Sequence, residues 1–259
     1  MSIENAVKRK IKSGKPSFGS WIMIGDLAVA EILSRSGFDW ITVDMEHTPI
    51  GYETLTVLLA GIQGAGTEAF VRIEANDPVV IKKVLDCGVS GIIVPLINSR
   101  EEAENAVKAA KYPPEGFRGV ALGRASEYGS NFSKYFDSAN ERIIVIAQIE
   151  HYRAVENIEE IVTVRGLDGV FMGPYDLSGS MGIVAQFDHP RMKGAREKVV
   201  EAVMREKKIL GIHNVNPDAT EVKSLIDEGF NFIACSIDSI FLSRATRAFV
   251  TDLNLLLQQ

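Results

Sequence analysis

Residues 69–97 read AFVRIEANDPVVIKKVLDCGVSGIIVPLI, and the order of features in this stretch decides the fold. A short apolar run, Ala69–Ile73, leads to Asp77-Pro78, a good helix start. DPVVIKKVLDCG then has helical period, and Gly88 stands where a C-terminal cap belongs. A second apolar run, Gly91–Ile97, follows at once. Both runs look buried instead of alternating, as parallel strands covered by helices do.

The same unit repeats outward in both directions. The runs number eight: Phe18–Ile24, Trp40–Glu46, Ala69–Ile73, Gly91–Ile97, Ile143–Glu150, Gly169–Gly173, Ile209–His213 and Phe232–Ile237. Segments of helical period separate them, among them LAVAEILSRSG, SREEAENAVKAAK and PDATEVKSLIDEG. No Ser/Gly/Pro-rich linker divides the chain, so one domain over residues 1–259 with eight β/α units is expected, and this fits a TIM barrel. A doubly wound sheet is the competitor, but its first loop, here MIGDLAVAE, lacks the glycines of a dinucleotide site. Two connections, 112–141 and 174–190, are long enough to expect a functional role.

Composition limits the chemistry. With 259 residues and 46% apolar content the chain can bury a large core, and its net charge of −6 disfavours nucleic acid and anionic membrane as partners. Apolar stretches such as GVSGIIVPLI fall far short of the roughly 20 residues a membrane helix needs. The first residues, MSIENAVKRKIKSGKPS, are amphipathic without a signal-peptide core and predict a short helix. Cys87 and Cys235 stand far apart, which points to packing roles in a reduced, cytoplasmic setting. Small-molecule chemistry is the expectation.

Barrel enzymes carry catalytic groups at the C-terminal ends of their strands. There the second run ends in Asp44, Glu46 and His47, the third carries Arg72, and the fifth ends in Gln148 and Glu150, two apart and on one face. Asp176 lies just beyond the sixth run. Glu150 and Asp176, at the tips of neighbouring strands, suit a hard divalent cation, Mg²⁺ or Mn²⁺, with Co²⁺ or Zn²⁺ as competitors. The alternative has Glu150 capping a helix and Asp176 in a loop turn with Ser178. Arg72 suits an oxyanion such as an enolate, or simply an ion pair with Glu46 or Glu74. His47 suits a general base, with Asp44 or Asp86 to fix its tautomer, or a helix-start histidine hydrogen-bonded to backbone; His213 is the alternative base. No lysine falls within the eight runs, which removes Schiff-base chemistry, and the ends of the last two runs lack phosphate-gripping glycines.

Together DWITVDMEH, the stretch VRIEANDPVVIKKVLDCGVSGIIVPLINSREEAENAVKAAKYPPEGFRGV, RAS, QIE and GVFMGPYDLSGSMG resemble the HpcH/HpaI family of class II, pyruvate-specific aldolases, from about Phe18 to Ala248. The resemblance implies a barrel of the phosphoenolpyruvate/pyruvate type. Its last helix, within Ser239–Leu257, would be exchanged between subunits of a homo-oligomer, often a hexamer built as a trimer of dimers. It implies cleavage of a 4-hydroxy-2-oxo acid, such as 4-hydroxy-2-oxoheptanedioate or a 2-keto-3-deoxy sugar acid, to pyruvate and an aldehyde through an enolate. Residue by residue it implies Glu150 and Asp176 as metal ligands, Arg72 on the keto or enolate oxygen, and His47 as base with Asp44 and Asp86 near it. Gln148 and the amides around Pro174, Tyr175 and Asp176 would hold the pyruvyl end. Met45 and Tyr175 depart from the family pattern by standing where smaller residues are expected, and GVALGRASEYG differs from the loop of the heptanedioate aldolases. The rival readings are an acyl-CoA lyase of the citramalyl-CoA type on the same barrel, and a non-catalytic oxo-acid-binding barrel.

Overall fold

Eight strands pair in parallel in the order of the sequence: β1 (Ser17–Ile22), β2 (Trp40–Asp44), β3 (Glu68–Arg72), β4 (Gly91–Val94), β5 (Ile144–Ile149), β6 (Gly169–Met172), β7 (Ile209–Asn214) and β8 (Phe232–Ile237). Pairing of β1 with β8 closes the sheet into a barrel. These features come from a computed structural model that describes residues 4–258. The TIM-type α/β barrel expected from the sequence is the fold observed.

The main helices between strands pack on the outside of the sheet, and local sequence sets their starts. Asp77 caps helix Pro78–Asp86 by accepting from the amides of Val79 (2.8 Å) and Val80 (3.1 Å). Ser99 and Glu102 form a capping box on helix Arg100–Ala110. The stretch 112–141, read as an extended connection, contains a 3-10 turn, Arg124–Gly129, and most of helix Phe132–Arg142. Phe132, Tyr135, Phe136 and Ala139 supply that helix with an apolar stripe, but polar residues between them mask the period. Likewise 174–190 opens with helix Pro174–Ser180.

Inside the barrel, alternate strand residues build an aromatic core in which Trp40 stacks on Phe232 with centroids 3.9 Å apart. Gly19 faces that indole so closely that a Cβ there would lie 2.1 Å from a ring carbon, so a side chain would displace Trp40. Helix Ala6–Lys12 closes the N-terminal end, where Val7 joins the interior cluster. A larger apolar layer fills the space between sheet and helices. The opposite end, where the strands finish, stays open and polar.

Two features of the chain matter for that end. The fourth strand stops at Val94, three residues short of the run read from sequence, because Pro95 has no N–H for the ladder and Leu96 turns with φ of 55°. The last helix, Asp238–Leu257, buries only its first residue; Phe249, Val250, Leu253 and Leu256 are exposed. Among the described residues, no helix is long and apolar enough to cross a membrane.

Candidate active site

The register of β2 and β3 sets Asp44 beside Arg72 at the strand ends, and strand alternation turns both side chains inward. Arg72 Nε donates to Asp44 Oδ1 at 3.0 Å and Nη2 to Oδ2 at 2.6 Å, a bidentate pair. Its Nη1 lies 3.2 Å from Glu46 Oε2, and its Cζ sits 4.4 Å from the centroid of the Trp21 ring. The guanidinium is therefore fixed on three sides. Asp44, with no exposed surface, also accepts from the amides of Glu46 (3.1 Å) and His47 (3.4 Å), and the Thr48 hydroxyl donates to its carbonyl. DMEHT thus folds as a turn around one carboxylate.

That arrangement changes the roles read for the acidic residues. Asp44 is occupied by Arg72 and two amides, so the carboxylate nearest the His47 imidazole is Glu46, with Nε2 to Oε2 at 3.8 Å and the imidazole itself exposed. Burial pushes the Glu46 carboxyl up to about 7; Arg72 opposes the rise and the charge of Glu150 adds to it. Asp86 ends helix Pro78–Asp86, which runs away from the strand tips, and it accepts from Arg118 Nη2 at 2.7 Å. The structure does not bring Asp86 together with His47 within the chain.

Across the mouth, Glu150 is buried at 4% exposure. Its Oε1 accepts from the Leu96 amide at 2.7 Å, a contact made by the early end of β4, and its Oε2 accepts from Gln148 Nε2. Burial pushes its carboxyl pKa up, the two hydrogen bonds pull it down, and the charge of Asp176 raises it further. Gly173 leaves room for this carboxylate: a Cβ there would lie 3.0 Å from Glu150 Cβ and 3.3 Å from Oε2. Asp176 sits exposed in the first turn of helix Pro174–Ser180. Tyr175 is exposed and meets Phe187 edge-on at 5.0 Å, while Met45 is buried in the apolar layer behind the sheet.

No group of three or more His, Cys, Asp or Glu with metal-binding geometry occurs among the described residues. Glu150 and Asp176 are two hard oxygen donors, and the buried Gln148 Oε1 beside them has no hydrogen-bond partner. This donor set fits an oxygen-seeking divalent cation that completes its coordination with water and substrate.

Sequence reasoning passed over Trp21, which carries Arg72; nothing in FGSWIMI separates it from an ordinary core residue. His213 is less peripheral than its sequence position suggests. It stacks on Trp21 with centroids 4.9 Å apart, and its Nε2 lies 3.2 Å from the Ser236 carbonyl oxygen. Burial pushes its imidazole down to about 4.

A closed β/α barrel with a buried Arg–carboxylate pair facing further carboxylates across its mouth defines an enzyme built to stabilise developing negative charge. The HpcH/HpaI aldolase/citrate lyase family matches residues 17–245. The 4-hydroxy-2-oxo-heptane-1,7-dioate aldolase of Shigella sonnei is 38% identical over 248 residues, covering 95% of this chain and 94% of that protein. Two solved structures are similar, each at 31% identity. The HpcH/HpaI aldolase/citrate lyase family protein of Burkholderia cenocepacia J2315 superposes with a TM-score of 0.92 over 96% of this chain and 99% of its own. For the HpcH/HpaI aldolase of Desulfitobacterium hafniense DCB-2 the TM-score is 0.87, with 95% of each chain covered. This chain belongs to the HpcH/HpaI aldolase/citrate lyase family. It is a carbon–carbon lyase of the class II aldolase kind.

Proposed function

We propose that the barrel mouth cleaves a 4-hydroxy-2-oxo acid, of the heptanedioate or 2-keto-3-deoxy sugar-acid type, to pyruvate and an aldehyde. The observation that carries this reading is Arg72, buried and fixed by Asp44, Glu46 and Trp21 opposite Glu150 and Gln148. Glu150 and Asp176 would hold a divalent cation, Mg²⁺ or Mn²⁺ by preference and Co²⁺ or Zn²⁺ in competition, which supplies Lewis-acid polarisation of the substrate's keto and carboxylate oxygens.

The chain's own groups do the rest. His47, directly or through a water, takes the 4-hydroxyl proton, and Glu46 beside it stabilises the imidazolium that forms. The C3–C4 bond breaks, its electron pair moves into the C2–C3 enolate, and the aldehyde leaves. Arg72, with Nη2 held by Asp44 and Nη1 by Glu46, would stabilise the charge that develops on the enolate oxygen, and being already oriented it would need no reorganisation in the transition state. Protonation at C3 gives pyruvate. Gln148 and the amides of Tyr175 and Asp176 would hold the pyruvyl end; Pro174 has no N–H and fixes the turn instead. The working form is a homo-oligomer, assembled through the exposed face of helix Asp238–Leu257.

Pyruvate in D₂O tests the half-reaction without choosing an aldehyde. Loss of the methyl proton signal by NMR should depend on Mg²⁺ or Mn²⁺ and vanish in Glu150→Gln. A folded protein that exchanges nothing with any divalent ion would sink the proposal.

A further inference from the structure

The chain spends backbone strain to orient one imidazole. Ser236 adopts φ of 58°, a left-handed conformation costly for a residue with a Cβ, at the point where the β1–β8 register shifts. The resulting carbonyl direction gives Ser236 O two donors, Ser20 Oγ at 3.1 Å and His213 Nε2 at 3.2 Å. A carbonyl only accepts, so Nε2 carries the proton and Nδ1 of the neutral ring is left as a lone pair. Among the described residues no protein donor is hydrogen-bonded to that nitrogen.

The position of the ring is as specific as its tautomer. His213 is inward-facing at the end of β7, half-buried, and stacked on the indole that also carries Arg72. The charges of Arg72 and Asp44 both reach it. His213, Pro174 and Tyr175 also line a cavity of about 370 Å³ beside the mouth, as do Asn214 and Asn216. There Asn216 Nδ2 donates to Glu221 Oε1 at 2.6 Å, which leaves its buried Oδ1 as a second acceptor without a partner. Arg196 lines the cavity too; its guanidinium is ion-paired with Glu228, and its buried Nε has no hydrogen-bond partner. Free acceptors on His213 and Asn216 together with a free donor on Arg196 suit a ligand that carries hydroxyls, which both donate and accept.

We propose that His213 is a specificity residue whose Nδ1 receives a hydrogen bond from a hydroxyl on the acceptor aldehyde, so that hydroxyaldehydes are preferred over unsubstituted aldehydes of equal length. The inference rests on the aldolase reading above. A ring held neutral by burial and by Arg72 is a poor base, which assigns it recognition, not proton abstraction. Apolar contact alone would discriminate weakly against a missing hydroxyl, whereas an acceptor left unpaired by the wrong substrate discriminates strongly.

The test runs the reaction toward condensation, with pyruvate and either glyceraldehyde or propanal, and compares the two kcat/KM values in wild type, His213→Leu and His213→Asn. Using the ratio of ratios cancels both the intrinsic reactivity of the aldehydes and any general loss of activity. Wild type should favour glyceraldehyde, His213→Leu should lower that preference about tenfold, and His213→Asn, which keeps an amide oxygen near the Nδ1 position, should restore most of it. Asn216→Ala reads the second acceptor if His213→Leu does not fold. An unchanged ratio in these variants, or no preference in wild type, overturns the assignment while pyruvate exchange in D₂O stands. Absence of exchange in the wild-type protein overturns the aldolase reading itself.

Discussion

Arg72 is the residue on which stability and chemistry meet, because the Asp44 carboxylate it pairs has no exposed surface. Arg72→Ala should lower turnover by about 10²- to 10³-fold, the usual loss for one oriented oxyanion donor, and also destabilise the fold by about 3–5 kcal/mol by leaving a buried charge alone. Adding Asp44→Asn should recover much of the stability, read by urea unfolding, and none of the turnover. Equal recovery of both would deny Arg72 a role in the chemistry. Glu46 gives a second prediction. Its carboxyl, raised to about 7 chiefly by burial, is about half protonated at neutral pH without a cation, and Glu150 is raised as well. Raised carboxyls bind protons that a nearby cation expels, so divalent-ion affinity should climb as pH rises through about 7 and then level off. Calorimetry in buffers of different ionisation enthalpy would count the protons released; Glu46→Gln should release fewer. An affinity that is flat between about pH 6 and 8 in both proteins contradicts this account.

At the scale of elements, the mouth is assembled by where strands end, and one glycine shows how tightly. Gly173→Ala would bring a methyl to 3.0 Å from Glu150 Cβ, closer than nearly all such contacts, so the carboxylate must shift. Stability should fall by about 1 kcal/mol while Mn²⁺ affinity, followed by electron paramagnetic resonance, falls by tenfold or more. Unchanged Mn²⁺ binding would separate Glu150 from the cation site. The same elements explain what the sequence discloses. Eight apolar runs with capped helices between them suffice for the barrel, and attention to strand ends locates Asp44, Arg72, Gln148 and Glu150, which the structure places at one mouth. Partnership is harder, because it depends on register and on backbone turns. Asp44 takes Arg72 instead of His47 because β2 and β3 set them side by side, and Asp86 goes with Arg118, which arrives from a long connection. Glu150 meets the Leu96 amide only because the chain leaves β4 at Pro95, and His213 gains its fixed proton from a left-handed serine that no local signal marks.

For the whole molecule, the unanswered face is helix Asp238–Leu257. Leu242, Phe249, Leu253 and Leu256 recur at spacings of seven, four and three, a continuous stripe on one side, and each is at least 42% exposed. Burying four such side chains is worth about 1.5–3 kcal/mol apiece, more than a small monomer gives up to water without reason. The first turn is anchored differently: Asp238 accepts from the amides of Met23 (3.0 Å) and Ile24 (2.8 Å), so the helix leaves the barrel from a fixed base at the strand-end face. A rigid base with a free apolar stripe is the geometry of an element that packs on another copy, in keeping with the exchanged last helix that the family resemblance implies. Light scattering on the full chain should therefore give a mass that is a multiple of 28.4 kDa. The double substitution Phe249→Glu and Leu253→Glu places charge in the stripe without touching Asp238, and should reduce that mass while circular dichroism stays native. A full-length chain that is monomeric at micromolar concentration would leave the stripe to some other partner and remove the homo-oligomer from the proposed working form.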